Sequence, residues 1–222
     1  MKLVNFGSLN IDRVYRVQAF VRPGQTILAR DFSCCAGGKG LNQSLAAARA
    51  GAQVLHAGAI GEDGAMLQAL LEESGADTSR LLHCTDAATG HAVIQVEEGG
   101  QNCILVWGGA NRALTEEYVD SVLEVCEAGD VVLVQNETSC VKYILEQAAA
   151  RGLRAAVNPS PIDPAWARFT APQFTSAWGL AFSASSRAST SPVPMDCRMT
   201  LMPVASSKAG MTAFTSVSEL GE

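Results

Sequence analysis

Long apolar runs are missing from this 222-residue chain, since no stretch approaches the roughly 20 residues that a helix needs to cross a bilayer. No export signal is visible, because Met1-Lys2-Leu3-Val4 leads directly into a predicted strand. Basic patches are also missing and the net charge is −6, which argues against nucleic acid as a partner. The sequence therefore predicts a cytoplasmic protein that binds neither membranes nor nucleic acids.

Patterned cysteines and histidines are absent as well. The seven cysteines are scattered and form no Cys-x-x-Cys pair, which is typical of a reducing compartment. Neighbouring Cys34 and Cys35 would point to opposite faces of a strand, so we expect them to serve in packing. His56, His83 and His91 lack the spacing of zinc ligands, and we expect no metal site from them.

Glycine is concentrated in one informative segment, residues 37–44, which reads Gly-Gly-Lys-Gly-Leu-Asn-Gln-Ser. It opens a predicted helix, Lys39 to Ala50, whose start offers unpaired N–H groups and a positive dipole end. A triphosphate-binding P-loop is excluded by spacing, because Ser33 and Gly40 stand where that motif needs Gly and Ser or Thr. The segment predicts a site for a small hydroxyl-rich ligand, with a simple glycine-rich turn as the alternative.

A second polar group follows the first predicted strand, Lys2 to Phe6. Asn10 and Asp12 come directly after this strand, and ligands of parallel α/β sheets bind outside the carboxyl ends of strands. Asp12 can accept hydrogen bonds from two hydroxyls, while Asn10 and Asn42 can each donate and accept. Together with Lys39 they predict a hydroxyl-binding site.

Apolar strand-like runs alternate with helical patterns over the first 160 residues. The predicted strands are Lys2–Phe6, Gln53–Ile60, Val131–Val134 and Leu153–Val157, and the predicted helices are Leu41–Ala50, Ala65–Ser74, Glu116–Glu127 and Val141–Arg151. This alternation predicts an α/β fold with a mostly parallel sheet and right-handed crossovers. Two regions, about residues 14–35 and 91–107, instead have the alternating pattern of half-exposed antiparallel strands.

These segments together resemble the ribokinase-like (PfkB) carbohydrate kinases, and within that family they are most similar to the ribokinases. The resemblance covers residues 1–175 and rests on six motifs: Gly-Ser-x-Asn-x-Asp, Gly-Gly-Lys-Gly-x-Asn, Gly58-x-x-Gly61, Thr89-Gly90-His91, Gly109-Ala110-Asn111 and Asn158-Pro159-Ser160-Pro161. It implies a three-layer fold with a small β lid over the sugar. It also implies transfer of the ATP γ-phosphate to a pentose hydroxymethyl group, ribose foremost, with Mg²⁺ and K⁺ as cofactors. Because an exposed β face favours association, we also expect the lid strands to form a homodimer.

The resemblance also implies site residues. The matching sugar-site positions are Asn10, Asp12, Gly38, Lys39, Asn42 and Glu137, and Asn158 matches a residue near the nucleotide. Residues 136–138 look like the family's Asn-Glu-Thr-Glu motif for magnesium and phosphate, but Ser139 replaces the last glutamate and the segment precedes the Asn-Pro-Ser-Pro run. We interpret Glu137 as sugar-facing; a carboxylate favoured at a helix start is the alternative.

Residues 176–222 depart from the family pattern. They contain ten Ser and four Thr but no Ile, Asn, Gln, His or Tyr, so we expect a disordered tail. The family would continue with an ATP-binding half and a Gly-x-Gly-Asp loop whose aspartate is the general base. The sequence has no such motif, and no catalytic residue is assigned. We expect a fold truncated on its C-terminal side, through a frameshift or comparable event or with a natural divergent tail.

Two other functions remain open. A non-catalytic sugar-binding or dimerising fragment would need only residues 1–175 and would bind sugar without consuming ATP. A Rossmann oxidoreductase would need Gly-x-Gly-x-x-Gly after the first strand, which Gly7-Ser8-Leu9-Asn10 lacks. Within the kinases, nucleoside and fructose-type acceptors are alternatives to a pentose.

Overall fold

The computed structural model describes residues 1–161 and two short strands further along the chain, Leu180–Ala181 and Thr200–Leu201. The strands of the first range are β1 (Leu3–Phe6), β2 (Asn10–Arg16), β3 (Asp31–Gly37), β4 (Val54–His56), β5 (Ala59–Gly61), β6 (Leu82–Cys84), β7 (Gly90–Val96), β8 (Asn102–Trp107), β9 (Val131–Gln135) and β10 (Arg154–Asn158). The α-helices are α1 (Lys39–Arg49), α2 (Ala65–Glu73), α3 (Glu116–Leu123) and α4 (Val141–Ala150). No helix within these residues is both long enough and apolar enough to span a membrane.

The central sheet is parallel and has the strand order β10-β9-β1-β4. From β1 the chain first moves outward to β4 on one side and later returns to β9 on the other. The strand order therefore reverses at β1, and a crevice opens at its carboxyl end. This reversal positions the candidate site.

Helices cover both faces of the central sheet. Leu41 and Leu45 of α1 pack with Leu67 and Leu71 of α2 in one apolar cluster. The opposite cluster joins α3 and α4 to the sheet through the buried residues Val119, Val122, Ile144 and Leu145. The predicted three-layer, mostly parallel α/β fold is confirmed.

The lid is a second sheet with the order β3-β2-β7-β8. It consists of two antiparallel pairs, β2–β3 and β7–β8, joined by a parallel contact between β2 and β7. The first lid strand begins at Asn10 rather than at Val14, so Asn10 and Asp12 belong to the lid. The expectation that Cys34 and Cys35 serve in packing is wrong, because both are exposed on β3, an edge strand of this sheet.

The prediction of one strand over Gln53–Ile60 is also wrong. The segment splits into β4, which joins the central sheet, and β5, which pairs in parallel with β6 in a separate two-stranded sheet. The break falls at Ala57-Gly58, where the chain passes so close to the Gly7 carbonyl that a side chain at Gly58 would overlap it. Apolar character alone does not reveal this bend.

The helix boundaries agree with the sequence to within a few residues. Thr115 caps α3 as predicted, accepting a hydrogen bond from the Tyr118 backbone N–H at 3.2 Å. Gly51 follows α1 with a φ of 86°, which favours glycine. The tail predicted to be disordered lies outside the described residues, except for β11 (Leu180–Ala181) and β12 (Thr200–Leu201), which pair antiparallel.

Candidate functional site

The candidate site lies at the carboxyl end of β1, where the strand order of the central sheet reverses. Asp12 arrives on the first lid strand, Lys39 opens α1, and Glu137 follows β9. Lys39 is brought close to Glu137, 98 positions later in the chain, and Asp12 lies beside them because β1 and β9 are paired neighbours. The sheet topology thus assembles three of the predicted site residues.

Lys39 and Glu137 form an ion pair across this crevice. Glu137 Oε2 also accepts hydrogen bonds from Ser8 Oγ at 2.6 Å and from the Lys39 backbone N–H at 3.4 Å. The Glu137 side chain is 11% exposed, whereas that of Lys39 is 37% exposed. The carboxylate is therefore held firmly at the N-terminus of α1, while the ammonium group remains accessible to a ligand. Glu137 does not lie in the first turn of the helix that follows it, because α4 begins only at Val141.

Asp12 lies over the backbone of the glycine-rich segment. Its carboxylate occupies the space that a side chain at Gly37 would fill. Burial raises the pKa of the Asp12 carboxyl to about 6, repulsion from Glu137 adds to the increase, and attraction to Lys39 opposes it. Two carboxylates therefore share one nearby cation, so hydroxyl donors from a ligand would stabilise Asp12 in its charged form.

Gly38 precedes α1 and has a backbone conformation that favours glycine. It occupies the cap position with a φ of 103° and has no side chain to cap the helix, so Ser8 Oγ and Glu137 Oε2 accept from the Gly40 and Lys39 backbone N–H groups instead. A side chain at this position would also overlap the Ser8 carbonyl oxygen. The first backbone N–H groups of α1 donate to Ser8 and Glu137, so Gly38 allows the Gly7–Ser8 turn to pack directly against the start of the helix.

Asn10 is held by a residue that the sequence motifs did not assign to the site, Asn111. The Asn111 amide nitrogen donates to Asn10 Oδ1 at 2.9 Å and to the Leu9 carbonyl at 3.0 Å. Its oxygen accepts from the Leu9 backbone N–H at 2.9 Å. Asn111 therefore clamps the turn into the lid, and its place at the end of the Gly-Ala-Asn motif was the available signal.

Asn42 and Asn158 are not drawn into these contacts. Asn42 lies exposed on the first turn of α1, and its side chain makes no hydrogen bond within the described residues. Asn158 ends β10, two strands away from β1, and its Oδ1 accepts from the Ser160 backbone N–H at 3.1 Å. In the part of the chain that the structure describes, neither side chain hydrogen-bonds to the Lys39–Glu137 pair.

A buried polar network lies beneath the site and was missed from the sequence. Its members, all at most 2% exposed, are Asn5, Gln43, Ser44, His56 and Gln135. The available signal was a polar residue inside an apolar strand, as in Leu-Val-Asn-Phe for β1. Among the described residues no group of three His, Cys, Asp or Glu side chains is arranged to hold a metal ion.

Comparison with known proteins agrees with this arrangement. The profile of the pfkB family carbohydrate kinases matches residues 1–184. A ribokinase from Haemophilus influenzae is 35% identical over 163 residues, which cover 72% of this chain and 53% of that protein. The crystal structure of a ribokinase from Cryptococcus neoformans var. grubii serotype A in complex with ADP is 38% identical, with a TM-score of 0.65, and the match covers 75% of this chain and 54% of that one.

A third relative, the structure of Arabidopsis thaliana ribokinase complexed with ribose and ATP, is 27% identical with a TM-score of 0.58. The match covers 72% of this chain and 53% of the Arabidopsis chain. The present chain thus spans about half the length of the relatives it matches. With most of its length matched by the family profile, the chain belongs to the pfkB family of carbohydrate kinases.

Proposed function

We propose that this chain carries the sugar-acceptor half of a ribokinase-type enzyme, in which the ATP γ-phosphate passes to a hydroxymethyl group of a pentose. Ribose is the proposed acceptor. The observation that carries the proposal is the Asp12 carboxylate beside the Lys39–Glu137 pair at the start of α1. The Arabidopsis ribokinase was solved in complex with ribose and ATP, which supports ribose as the acceptor here.

Each proposed sugar-site residue has a chemical task. Asp12 accepts hydrogen bonds from two neighbouring sugar hydroxyls, and Lys39 donates to a third oxygen. Asn10 has its oxygen engaged by Asn111, so its amide N–H₂ group is the part available to a ligand. Asn42 extends the donor set from α1, and Gly38 allows the sugar to approach the backbone. Glu137 orients the Lys39 ammonium group.

The described residues do not offer an equivalent site for the nucleotide and its metal ions. The 222-residue sequence has no Gly-x-Gly-Asp motif, and Asn158, the residue expected near the nucleotide, already uses its oxygen within its own turn. We therefore assign ATP, Mg²⁺ and K⁺ to the whole family enzyme and derive no step through them here. We propose that the 222-residue chain binds ribose without phosphorylating it. A cytoplasmic location belongs to the same proposal and rests on the unpatterned cysteines.

Calorimetry with ribose and the 222-residue chain tests the sugar site. Asp12→Ala should abolish measurable binding, because each sugar hydroxyl left without its acceptor costs about 1–3 kcal/mol. Asp31→Ala is the matched control, since this exposed carboxylate lies on the same lid sheet away from the crevice. Unchanged ribose affinity in Asp12→Ala would remove the proposal. A coupled assay for ATP consumption should give background rates, and robust ribose phosphorylation would contradict the non-catalytic assignment.

The lid also supports a homodimer. Four consecutive apolar residues of β8 are each at least half exposed: Ile104, Leu105, Val106 and Trp107. An exposed apolar edge strand favours association with another chain. We propose that a second copy of this chain covers β8. Light scattering after gel filtration should show a dimer that Leu105→Asp dissociates, whereas Leu28→Asp, at an exposed apolar position in the loop between β2 and β3, should not.

A further inference from the structure

The buried polar network (Asn5, Gln43, Ser44, His56 and Gln135) takes no direct part in the proposed sugar contacts. All five side chains are shielded from water, and a buried polar group is costly unless it is hydrogen-bonded. All five lie on strands or helices that meet beneath the Gly7–Ser8 turn and the start of α1. Their hydrogen bonds determine one another, beginning at His56.

Only one tautomer of the neutral His56 ring fits its two hydrogen-bond partners. The Gly7 carbonyl can only accept, so His56 Nε2, 3.2 Å away, carries the proton and donates it. His56 Nδ1 is then an acceptor, and the Ser44 hydroxyl donates a hydrogen bond to it at 2.7 Å. Burial lowers the pKa of His56 to about 4, although the hydrogen bond to Gly7 opposes this decrease, so the ring is neutral at physiological pH.

The hydrogen-bond direction at Ser44 also determines the orientations of the Asn5 and Gln135 side-chain amides. Ser44 Oγ, having donated to His56, accepts from Asn5 Nδ2 at 2.8 Å, and the same nitrogen donates to the Gly40 carbonyl at 2.9 Å. Asn5 Oδ1 accepts from Gln135 Nε2 at 2.9 Å. Gln135 Oε1 thereby faces the Ser8 backbone N–H, at 3.4 Å.

The network ends on the two backbone segments that form the site. His56 and Gln135 hold Gly7 and Ser8, and Asn5 holds Gly40. Ser8 Oγ then accepts from the Gly40 N–H at 3.1 Å and donates to Glu137 at 2.6 Å. The space between the segments is narrow, since a side chain at Gly7 would lie 2.8 Å from Gly40 Cα. A small shift of either segment would displace the residues that face the sugar.

We propose that His56 is a positioning residue: through Ser44, Asn5 and Gln135 it fixes the contact between the Gly7–Ser8 turn and Gly40, and so the geometry of the Lys39–Glu137 pair. The consequence for ribose rests on the proposed function. His56→Leu removes the donor to the Gly7 carbonyl and the acceptor of the Ser44 hydroxyl, which frees the amides to reorient. His56→Gln places an amide N–H near the former Nε2 and restores the bond to Gly7.

Hydrogen exchange followed by NMR on the 222-residue chain tests the positioning directly and needs no ligand. His56→Leu should speed exchange at the Ser8 and Gly40 amides at least about tenfold more than at the Val132 amide in the opposite core, and His56→Gln should restore most of the protection. Val122→Ala is the matched control, because it leaves a cavity beneath α3, far from the network, and so lowers global stability without breaking the network's hydrogen bonds. If His56→Leu does not fold, Ser44→Ala breaks the same chain of hydrogen bonds with a smaller void.

Ribose calorimetry on the same variants completes the test. His56→Leu should weaken ribose binding at least about tenfold, His56→Gln should recover it, and Val122→Ala should leave it unchanged. The inference is overturned if Ser8 and Gly40 respond to His56→Leu no more than to Val122→Ala. It is also overturned if the wild-type chain binds ribose and His56→Leu binds it equally well. A wild-type chain that does not bind ribose refutes the proposed function instead, and the exchange result then still decides the role of His56.

Discussion

The carboxylate of Asp12 occupies the space directly above Gly37, so the two residues can be regarded as a single unit of the site. A side chain at position 37 would overlap all three atoms of the carboxyl group. Gly37 is paired with Asn10 across the lid strands, which brings it beneath Asp12 without any unusual backbone angle. The glycine is needed here for space rather than for conformational freedom.

Gly37→Ala should therefore impair binding more than folding. Asp12 can rotate away from the new methyl group, so the free energy of unfolding should change by less than about 1 kcal/mol. Ribose affinity should fall at least about tenfold because the hydroxyl acceptor is displaced. Calorimetry and urea titration measure the two effects, with Ser33→Ala on the same strand as control. A loss of stability larger than the loss of binding energy would show that Asp12 cannot move.

Ribose binding should depend on pH through Asp12. Only the ionised carboxylate accepts from two hydroxyls, and burial together with Glu137 raises the Asp12 pKa to about 6 in the free protein. Ribose should therefore bind with release of a proton, and its affinity should fall about tenfold for each pH unit below 6 and level off above 7. Calorimetry in buffers of different ionisation enthalpy measures the proton release. Asp12→Asn should bind weakly and show no such dependence; an equally pH-dependent Asp12→Asn would place the titrating group elsewhere.

The fold was largely accessible from the sequence. The alternation of apolar runs with amphipathic helices predicts the three layers, and the Gly-Gly-Lys-Gly motif locates the start of α1 to the residue. Gln53–Ile60 was misassigned because a continuous apolar run does not reveal that the chain bends at Gly58 and changes sheets. The lid boundary was misplaced for a related reason, since the pairing of Asn10 with Gly37 and Gly90 is a tertiary contact.

Only the outer part of the candidate site could be predicted from the sequence. Asp12, Lys39 and Glu137 stand in recognisable motifs, whereas the buried polar network depends on which strands become neighbours. Asn5 and His56 are partners across β1 and β4, a register that no local pattern encodes. Their presence inside apolar strands marks them as unusual, but only the structure shows that both hydrogen-bond to Ser44 of α1.

The acid stability of the chain should reflect two opposing groups. His56 has a folded pKa of about 4, below the ordinary value of 6.5, so its contribution to stability is complete above pH 6.5 and is lost as the pH falls towards 4. For a fully buried ring this amounts to about 3 kcal/mol. Asp12 has a raised pKa, so its contribution is present below about pH 4 and is lost as the pH rises through 6. Solvent screening makes the Asp12 effect the smaller of the two.

Urea titrations between pH 4 and 7 separate these contributions. His56→Gln should flatten the loss of stability in acid relative to wild type, whereas Asp12→Asn should steepen it. Other carboxylates titrate equally in all three proteins, so the differences between the curves are the quantity to compare. Parallel curves for wild type and His56→Gln would mean that the ring is not held neutral.

Gln43→Met provides a test of the hydrogen-bond directions in the buried polar network. Gln43 Oε1 accepts from Gln135 Nε2 at 2.5 Å, which leaves Gln43 Nε2 buried and without a partner in the described part of the chain. Methionine has a similar length and carries no donor. Gln43→Met therefore removes the unpaired amide but leaves one N–H of Gln135 without its acceptor. Since a buried unpaired donor costs about 1–3 kcal/mol, Gln43→Met should be neutral or stabilising.

Gln135→Met is the matched control for that experiment. It breaks the bonds to Asn5, Gln43 and Ser8 together and should cost about 2 kcal/mol or more. Urea midpoints at pH 7 compare the two variants with wild type. If Gln43→Met were as destabilising as Gln135→Met, the Gln43 amide would have to be paired, and the hydrogen-bond directions derived from His56 would have to be reversed at Gln135. Gln43 and Gln135 contact each other, so the two Gln→Met variants change the packing at the same place. The difference between their stabilities therefore tests the hydrogen-bond directions rather than the packing.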